Sequence, residues 1–313
     1  MLAAVVVAAL VAGVSLDRWV GLPIAWRWAQ SGGQFDLAAP PASVPYPVSA
    51  SRPEVRLAAA GDVGTGGAEE YATADAMAEL ETSGEFDALL LLGDNVYPSG
   101  DPVGLRSAVL DPFAAVLDGR TELVAALGNH DVRTDDGVPL SEALGLPGRW
   151  YAQQFGSVAV VVVDSTRPQD PEQLRWLDET LASCAAPWVV VMQHHPPNSA
   201  GYHGSDLASR ANLIPLYERH GVDLVLSGHD HDYQRTENIG GVTYVVSGGA
   251  ATLRPTGREQ FTVTAASTYH FVELAATADQ LVVRAIGQDG RVFDEFSLAA
   301  SARRAPLDGG GCR

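Results

Sequence analysis

The stretch ALLLLGDNVYPSG, residues 88–100, sets five apolar residues before an acid, an amide and a phenol. Residues 88–92 read as a strand buried on both faces. A chain leaving a sheet needs only turn residues, so Asp94, Asn95 and Tyr97 call for another reason. Other strands end in the same way. Val55–Ala60 runs into Gly61-Asp62-Val63-Gly64, and residues 122–127 run into Gly128-Asn129-His130-Asp131. Trp188–Met192 meets Gln193-His194-His195-Pro196, and residues 222–226 meet Ser227-Gly228-His229-Asp230-His231. Five apolar strands thus deliver Asp, Asn, Tyr or His at the carboxyl end, where α/β sheets place their ligand sites. A single Gly-Asp after a strand is only a turn or a cap; five such ends together ask for one site. His220 and His270 lie outside these loops and are expected to be structural.

Around these strands the pattern alternates. Helices are expected over residues 68–82, 102–117, Pro171–Ser183 and 206–220, and a further strand over 158–163. From residue 242 the chain becomes strand after strand: 242–246, 269–274, 281–286 and 292–298. An α/β beginning and a β-hairpin end suit two packed sheets with helices outside.

The chain has 313 residues, of which 46% are hydrophobic and 19% charged, so it can bury a substantial core. Its net charge of -18 disfavours nucleic acid as the main partner. Residues 1–30 begin with an apolar run that is short for a membrane span of ~20 residues and carry Trp19, Trp26 and Trp28 after it. They read as a signal peptide or an N-terminal membrane anchor, placing the protein outside the cytoplasm, secreted or membrane-attached. Residues 31–53 read as a Pro/Gly-rich linker, 54–300 as the catalytic domain and 301–313 as a flexible tail. Cys184 and Cys312 form no C-x-x-C motif; in an exported protein they could pair.

The donor types narrow the chemistry. The motif loops hold no thiolate, so a structural zinc site is disfavoured. Carboxylate, imidazole, amide and phenolate suit iron, manganese or zinc acting as Lewis acids. About seven such donors exceed what one ion takes and suit two, with a carboxylate bridging ions ~3.5–4 Å apart. A free phenol titrates near ~10, so Tyr97 ligates at acid pH only beside a strongly charged cation such as Fe3+. The plainer reading is an interfacial Tyr held by Pro98.

These residues resemble a known family, the calcineurin-like metallophosphoesterases, and within it the purple (tartrate-resistant) acid phosphatases. That branch carries D-x-G, G-D-x-x-Y, G-N-H-D/E, V-x-x-H and G-H-x-H in this order. Here stand Asp62-Val63-Gly64, Gly93-Asp94-Asn95-Val96-Tyr97, Gly128-Asn129-His130-Asp131, Val191-Met192-Gln193-His194 and Gly228-His229-Asp230-His231. The wider family usually has His where Gly64 stands. The resemblance implies a four-layer αββα sandwich of two mixed sheets. It implies Fe3+ on Asp62, Tyr97 and His231, and a divalent ion (Fe2+, Zn2+ or Mn2+) on Asn129, His194 and His229. Asp94 would bridge the two ions, while Asn95 and Ser99 shape the loop.

The implied reaction is hydrolysis of a small phosphomonoester by in-line attack of a metal-bound hydroxide. His130 would contact the phosphate, with Asp131 orienting it, and His203 or His130 would protonate the leaving alkoxide. His195 competes with His203 for the substrate-contacting place, and Arg133 and Arg254 read as solvated charge. A phosphodiesterase or nucleotide hydrolase with the same site, or a non-catalytic cell-surface binding protein, are the alternatives.

Overall fold

The computed structural model describes residues 38–47, 53–81, 85–299 and 312. The expected leader, and all of the expected tail except Cys312, lie outside the described residues. The strands in chain order begin with β1 (Val44–Pro45), β2 (Val55–Ala60), β3 (Ala88–Leu91), β4 (Glu122–Ala125) and β5 (Tyr151–Phe155). Next come β6 (Val158–Val162), β7 (Trp188–Met192), β8 (Leu224–Ser227), β9 (Tyr233–Thr236) and β10 (Thr243–Ser247). The last are β11 (Thr262–Ala266), β12 (His270–Ala276), β13 (Gln280–Gly287) and β14 (Arg291–Ala299). The helices are α1 (Ala68–Glu81), α2 (Val138–Ala143), α3 (Pro171–Ser183), α4 (Leu207–Asn212) and α5 (Ile214–His220).

Two seven-stranded sheets result, in the orders β1-β14-β13-β12-β2-β3-β4 and β11-β9-β10-β8-β7-β6-β5. In each sheet the strands that feed the motif loops run parallel: β2, β3 and β4 in one, β7 and β8 in the other, the latter flanked by parallel β6 and β10. Parallel strands need both faces covered, which accounts for their unbroken apolar runs. Alternate residues serve two cores. Leu57, Ala59 and Leu90 meet Val160, Val190 and Leu226 between the sheets. Ala58, Ala60 and Leu89 turn outward onto Met77 and Leu80 of α1. Val161, Val189 and Val225 turn outward onto Leu177 of α3 and Tyr217 of α5. The layers are therefore helix, sheet, sheet, helix.

Two expected helices are reshaped by proline. The stretch 102–117 forms a 3-10 turn at Pro102–Gly104 and a π turn at Arg106–Leu110. Pro112 follows at once and cannot donate to a continuing helix. The stretch 206–220 is two helices, because Pro215 opens a new one within its first two positions, while Gly221 caps the second at a positive φ of 66°. By contrast, α3 spans the expected residues, capped by the Asp170 carboxylate accepting from the N–H groups of Glu172 and Gln173. Four short strands, β1, β5, β9 and β11, stand where no strand is expected, three of them at sheet edges where polar residues are tolerated.

Within the stretch read as linker, residues 38–47 run along the domain. Val44 pairs with Val292, and Tyr46 donates to the buried Glu273, which also holds Arg56 and Arg284. On the far side Cys184, which caps α3, is disulfide-bonded to Cys312. Titrating the unreduced, denatured protein with a thiol reagent should find no free cysteine; two reactive thiols would contradict the pairing.

Candidate metal centre

The five motif loops meet at one edge, between the carboxyl ends of the two sheets. Asp62 follows β2 and Asp94 follows β3; they are 0% and 2% exposed. His229 follows β8, and its backbone N–H donates to Asp62 Oδ2 at 2.7 Å, joining the two sheets directly. Gly61 donates to the Ser247 carbonyl at 2.9 Å and does the same. Asp62, Asp94 and His229 all have positive φ, at 60°, 54° and 71°. Such strain in non-glycine residues concentrates where side chains must be aimed.

The seven candidate ligands fall into two trios with Asp94 alongside. In the first, the Tyr97 hydroxyl lies 3.2 Å from Asp62 Oδ1 and 3.3 Å from His231 Nε2, and that nitrogen is 3.4 Å from Asp62 Oδ1. In the second, His194 Nε2 lies 3.0 Å from Asn129 Oδ1 and 3.2 Å from His229 Nδ1. Asp94 Oδ1 is 3.5 Å from the same His194 nitrogen. One oxygen or nitrogen of each of Asp62, Asp94 and His194 lies within 4.8 Å of the others.

The protonation pattern shows what this cluster lacks. His194 Nδ1 faces the Leu92 carbonyl at 2.9 Å, an acceptor only, so Nδ1 carries the proton and Nε2 of the neutral ring is bare. That bare nitrogen looks at the amide oxygen of Asn129 and the carboxylate of Asp94. Lone pairs converge with little to donate to them. Among the described residues neither Asp62 nor Asp94 has an Arg or Lys ion-pair partner. Burial, and then the charges of Asp62 and Asp94, push the Tyr97 phenol well up, the opposite of what an anionic ligand needs. A cation inverts that sign. The donor set therefore fits metal ions.

A model of the calcineurin-like phosphoesterase family matches residues 55–233, more than half of the chain. The chain belongs to the calcineurin-like phosphoesterase family. Among curated relatives it is 27% identical to mouse tartrate-resistant acid phosphatase type 5, over 78% of this chain and 84% of the relative. It is 28% identical to purple acid phosphatase 3 of Arabidopsis thaliana, over 56% and 57% of the two chains. Among solved structures, the yellow lupin purple acid phosphatase PPD1 superposes with a TM-score of 0.70 at 21% identity, covering 83% of this chain and 56% of that one. The Plasmodium inner membrane complex anchor GAP50 gives 0.71 at 16% identity, covering 81% and 91%. At these identities the two structures speak for the phosphoesterase fold alone.

Glycine explains one departure from the wider family. A Cβ at Gly64 would lie 2.4 Å from the Asn95 carbonyl carbon and 2.5 Å from the Val96 nitrogen. Gly64 also accepts from the Tyr97 N–H at 2.8 Å. The space a side chain at 64 would need is taken by the loop that delivers Tyr97, so the glycine and the tyrosine are one structural choice.

The remaining candidates divide. His130 donates its backbone N–H to Asp94 Oδ1 at 2.8 Å, and its Nδ1 faces the Pro98 carbonyl at 2.7 Å. Asp131 does not orient it. The Asp131 carboxylate is fully buried and accepts from the backbone N–H groups of Asn95, Val96 and Gly128 and from the Asn95 amide. The 3-10 turn that begins after His130 sends the two side chains apart. Burial, then the charge of Asp94, push the Asp131 carboxyl up to about 7. Its work is to tie the third motif to the second. Arg133 is exposed, as expected of a solvated charge, yet it donates to the Pro98 carbonyl at 3.1 Å and reaches His130 Nε2 at 3.3 Å.

His195 and His203 both flank His229, with ring centres 4.5 and 4.3 Å from it, and both line a cleft of about 520 Å³ that opens beside the cluster. They differ in freedom. Ser165 Oγ accepts the backbone N–H groups of His194 and His195, at 3.1 and 2.8 Å, so its one proton goes to His195 Nδ1 at 3.0 Å. That leaves His195 fixed as the Nε2–H tautomer. Burial, the largest cause, pushes its imidazole down to about 3. His203 is exposed, with its ring 4.8 Å from that of Tyr202, over which the Arg254 guanidinium stacks at 4.6 Å.

Sequence reading passed over three contributors. Ser165 follows β6 in Asp164-Ser165-Thr166, a sixth apolar strand ending in polar residues, and the rule used for the other five would have found it. Thr252, whose hydroxyl meets His231 Nδ1 at 2.5 Å, carries no signal in sequence. Asp230 stands between the candidate ligands His229 and His231.

Gly64→Ala should lower stability by about 1–3 kcal/mol, as overpacking does, and should abolish the rise in unfolding temperature that iron or zinc confers. A variant as stable and as metal-responsive as the parent would overturn this reading of the loop.

Proposed function

We propose that the chain is an acid phosphatase of the purple type, hydrolysing small phosphomonoesters at a site for Fe3+ and a divalent ion. The observation that carries this is Tyr97, a phenol set within 3.3 Å of both Asp62 and His231 in a half-buried position. No structural need of the fold calls for a tyrosine there, and a ferric ion is the partner its chemistry suits. The similarity to tartrate-resistant and purple acid phosphatases supports the same reading.

Asp62, Tyr97 and His231 would hold Fe3+. Asn129, His194 and His229 would hold Fe2+, Zn2+ or Mn2+, with Asp94 shared. When bound, the two cations supply neutralisation of the phosphate oxygens and acidification of water. The chain supplies the rest. At the rim the exposed Arg133 offers N–H donors to phosphate oxygens, and the half-buried His130, whose Nδ1 is held by the Pro98 carbonyl, offers Nε2–H only when its ring is protonated. His195 Nε2–H offers another, always in the donor state because Ser165 fixes the opposite nitrogen. His203, free of such a bond, hands a proton to the leaving alkoxide oxygen. His203 must be protonated to do so, and desolvation holds its imidazole below the ordinary range, so activity should fall as pH rises through a midpoint below ~6.5.

The substrate is a small phosphate ester, not a polyanion, given a net charge of -18. We read the chain as acting outside the cytoplasm, and the Cys184–Cys312 disulfide is consistent with an oxidising compartment. No described helix is long and apolar enough to cross a membrane.

Protein produced with iron should be coloured by phenolate-to-iron charge transfer, and Tyr97→Phe should lose the visible band while keeping its fold. An unchanged spectrum would remove Tyr97 from the site. With purified protein, a chromogenic phosphomonoester should turn over at least about tenfold faster than the matching bis-ester; the reverse preference would favour the phosphodiesterase reading.

A further inference from the structure

Asp230 lies between two candidate ligands, His229 and His231, and is 0% exposed. Its carboxylate is spent on the loop that carries His203. Oδ1 accepts the His203 N–H at 2.6 Å, and Oδ2 accepts the Gly204 N–H at 3.2 Å and the Ser199 hydroxyl. Around these bonds the loop closes tightly. Ser199 Oγ takes the Gly201 N–H at 2.9 Å and the Gln234 amide at 2.9 Å, while Gln234 Oε1 takes the Ala200 N–H at 2.7 Å. A Cβ at Gly201 would lie 2.6 Å from Asp230 Cγ, so only glycine lets the loop pass this close.

Residues 199–204 have no ladder of their own. The backbone N–H groups of Ala200, Gly201, His203 and Gly204 are satisfied by one buried carboxylate and its neighbours Ser199 and Gln234, and that carboxylate belongs to the loop that presents both histidines. Backbone N–H bonds to a charged acceptor are short and strong, and they fix position more narrowly than side-chain packing.

We propose that Asp230 is a positioning residue that clamps the His203 loop to the two ligand histidines, setting where the His203 imidazole stands relative to the reacting phosphate. The clamp rests on the reading of His203 as the proton donor. Misplacement of a catalytic group by about 1 Å costs up to about a hundredfold in rate, so the clamp matters without touching substrate.

Asp230→Asn keeps the size but replaces one acceptor oxygen by a donor that cannot receive the His203 or Gly204 N–H. The test compares the full chain, Asp230→Asn, His203→Ala and the double variant. Metal content, amide exchange over residues 199–206 and kcat on a chromogenic phosphomonoester are measured for each. Asp230→Asn should retain its metal, exchange at least about tenfold faster over 199–206 and lose about tenfold in kcat. In the His203→Ala background the same substitution should change kcat by less than about twofold.

Unchanged exchange overturns the clamp, as does loss of metal or an equal fall of kcat in both backgrounds. If Asp230→Asn does not fold, Ser199→Ala removes one donor from the same carboxylate and should show the same pattern on a smaller scale. A parent chain that hydrolyses no phosphate ester, yet whose 199–206 exchange depends on residue 230, would count against the phosphatase reading and for the clamp.

Discussion

Two carboxylates buried without an Arg or Lys partner among the described residues are the constraint on which this molecule turns. Asp62 and Asp94 sit at the meeting edge of two sheets, 0% and 2% exposed, surrounded by imidazoles, an amide oxygen and a phenol. Burying an ion costs several kcal/mol; the imidazoles of His194 and His231 stand beside these carboxylates, and bound cations would offset the rest. The hydrogen bond from the His229 N–H to Asp62 Oδ2 has a second consequence: one carboxylate is at once a ligand candidate and a bolt between the sheets. Metal binding and sheet packing are therefore coupled, as expected when a site is assembled from both halves of a core.

The fold is arranged to serve that edge. Parallel strands deliver their carboxyl ends to the same side, and their apolar runs fill the cores on both faces without interrupting the loops. Close approach is then bought with glycine. A Cβ at Gly128 would lie 2.2 Å from Asp94 Oδ1, and one at Gly228 would lie 2.6 Å from Asp62 Oδ2. Asp131, too far inside to meet substrate, holds the second and third loops in register by accepting three backbone N–H groups. Ser165 does comparable work for the fourth loop and settles the tautomer of His195. Around the candidate ligands lies a shell of single-purpose hydrogen bonds, each removing one degree of freedom from a ring or a carboxylate.

Much of this was legible in the sequence because the two signals involved are short-range. A strand buried on both faces reads as an apolar run, and a ligand loop reads as polar residues directly after it. The αββα architecture and the convergence of Asp62, Asp94, Tyr97, Asn129, His194, His229 and His231 follow from those signals and from the family resemblance. What failed was governed by backbone geometry. Adjacency suggests that Asp131 orients His130, but a 3-10 turn separates their side chains. Apolar spacing suggests unbroken helices over 102–117 and 206–220, which Pro112 and Pro215 interrupt. Tyr151–Phe155 carries little strand signal because an edge strand needs only half an apolar pattern. The tie between Asp230 and residue 203 spans 27 positions of irregular chain, and no periodicity encodes such a contact.

The central claim is that side chains from both sheets hold a pair of cations. Anomalous diffraction from crystals grown with iron and zinc tests it most directly. The account predicts two peaks about 3.5–4 Å apart, one beside Asp62, Tyr97 and His231 and the other beside Asn129, His194 and His229, with Asp94 touching both. A single peak, or metal bound only elsewhere on the molecule, would contradict it.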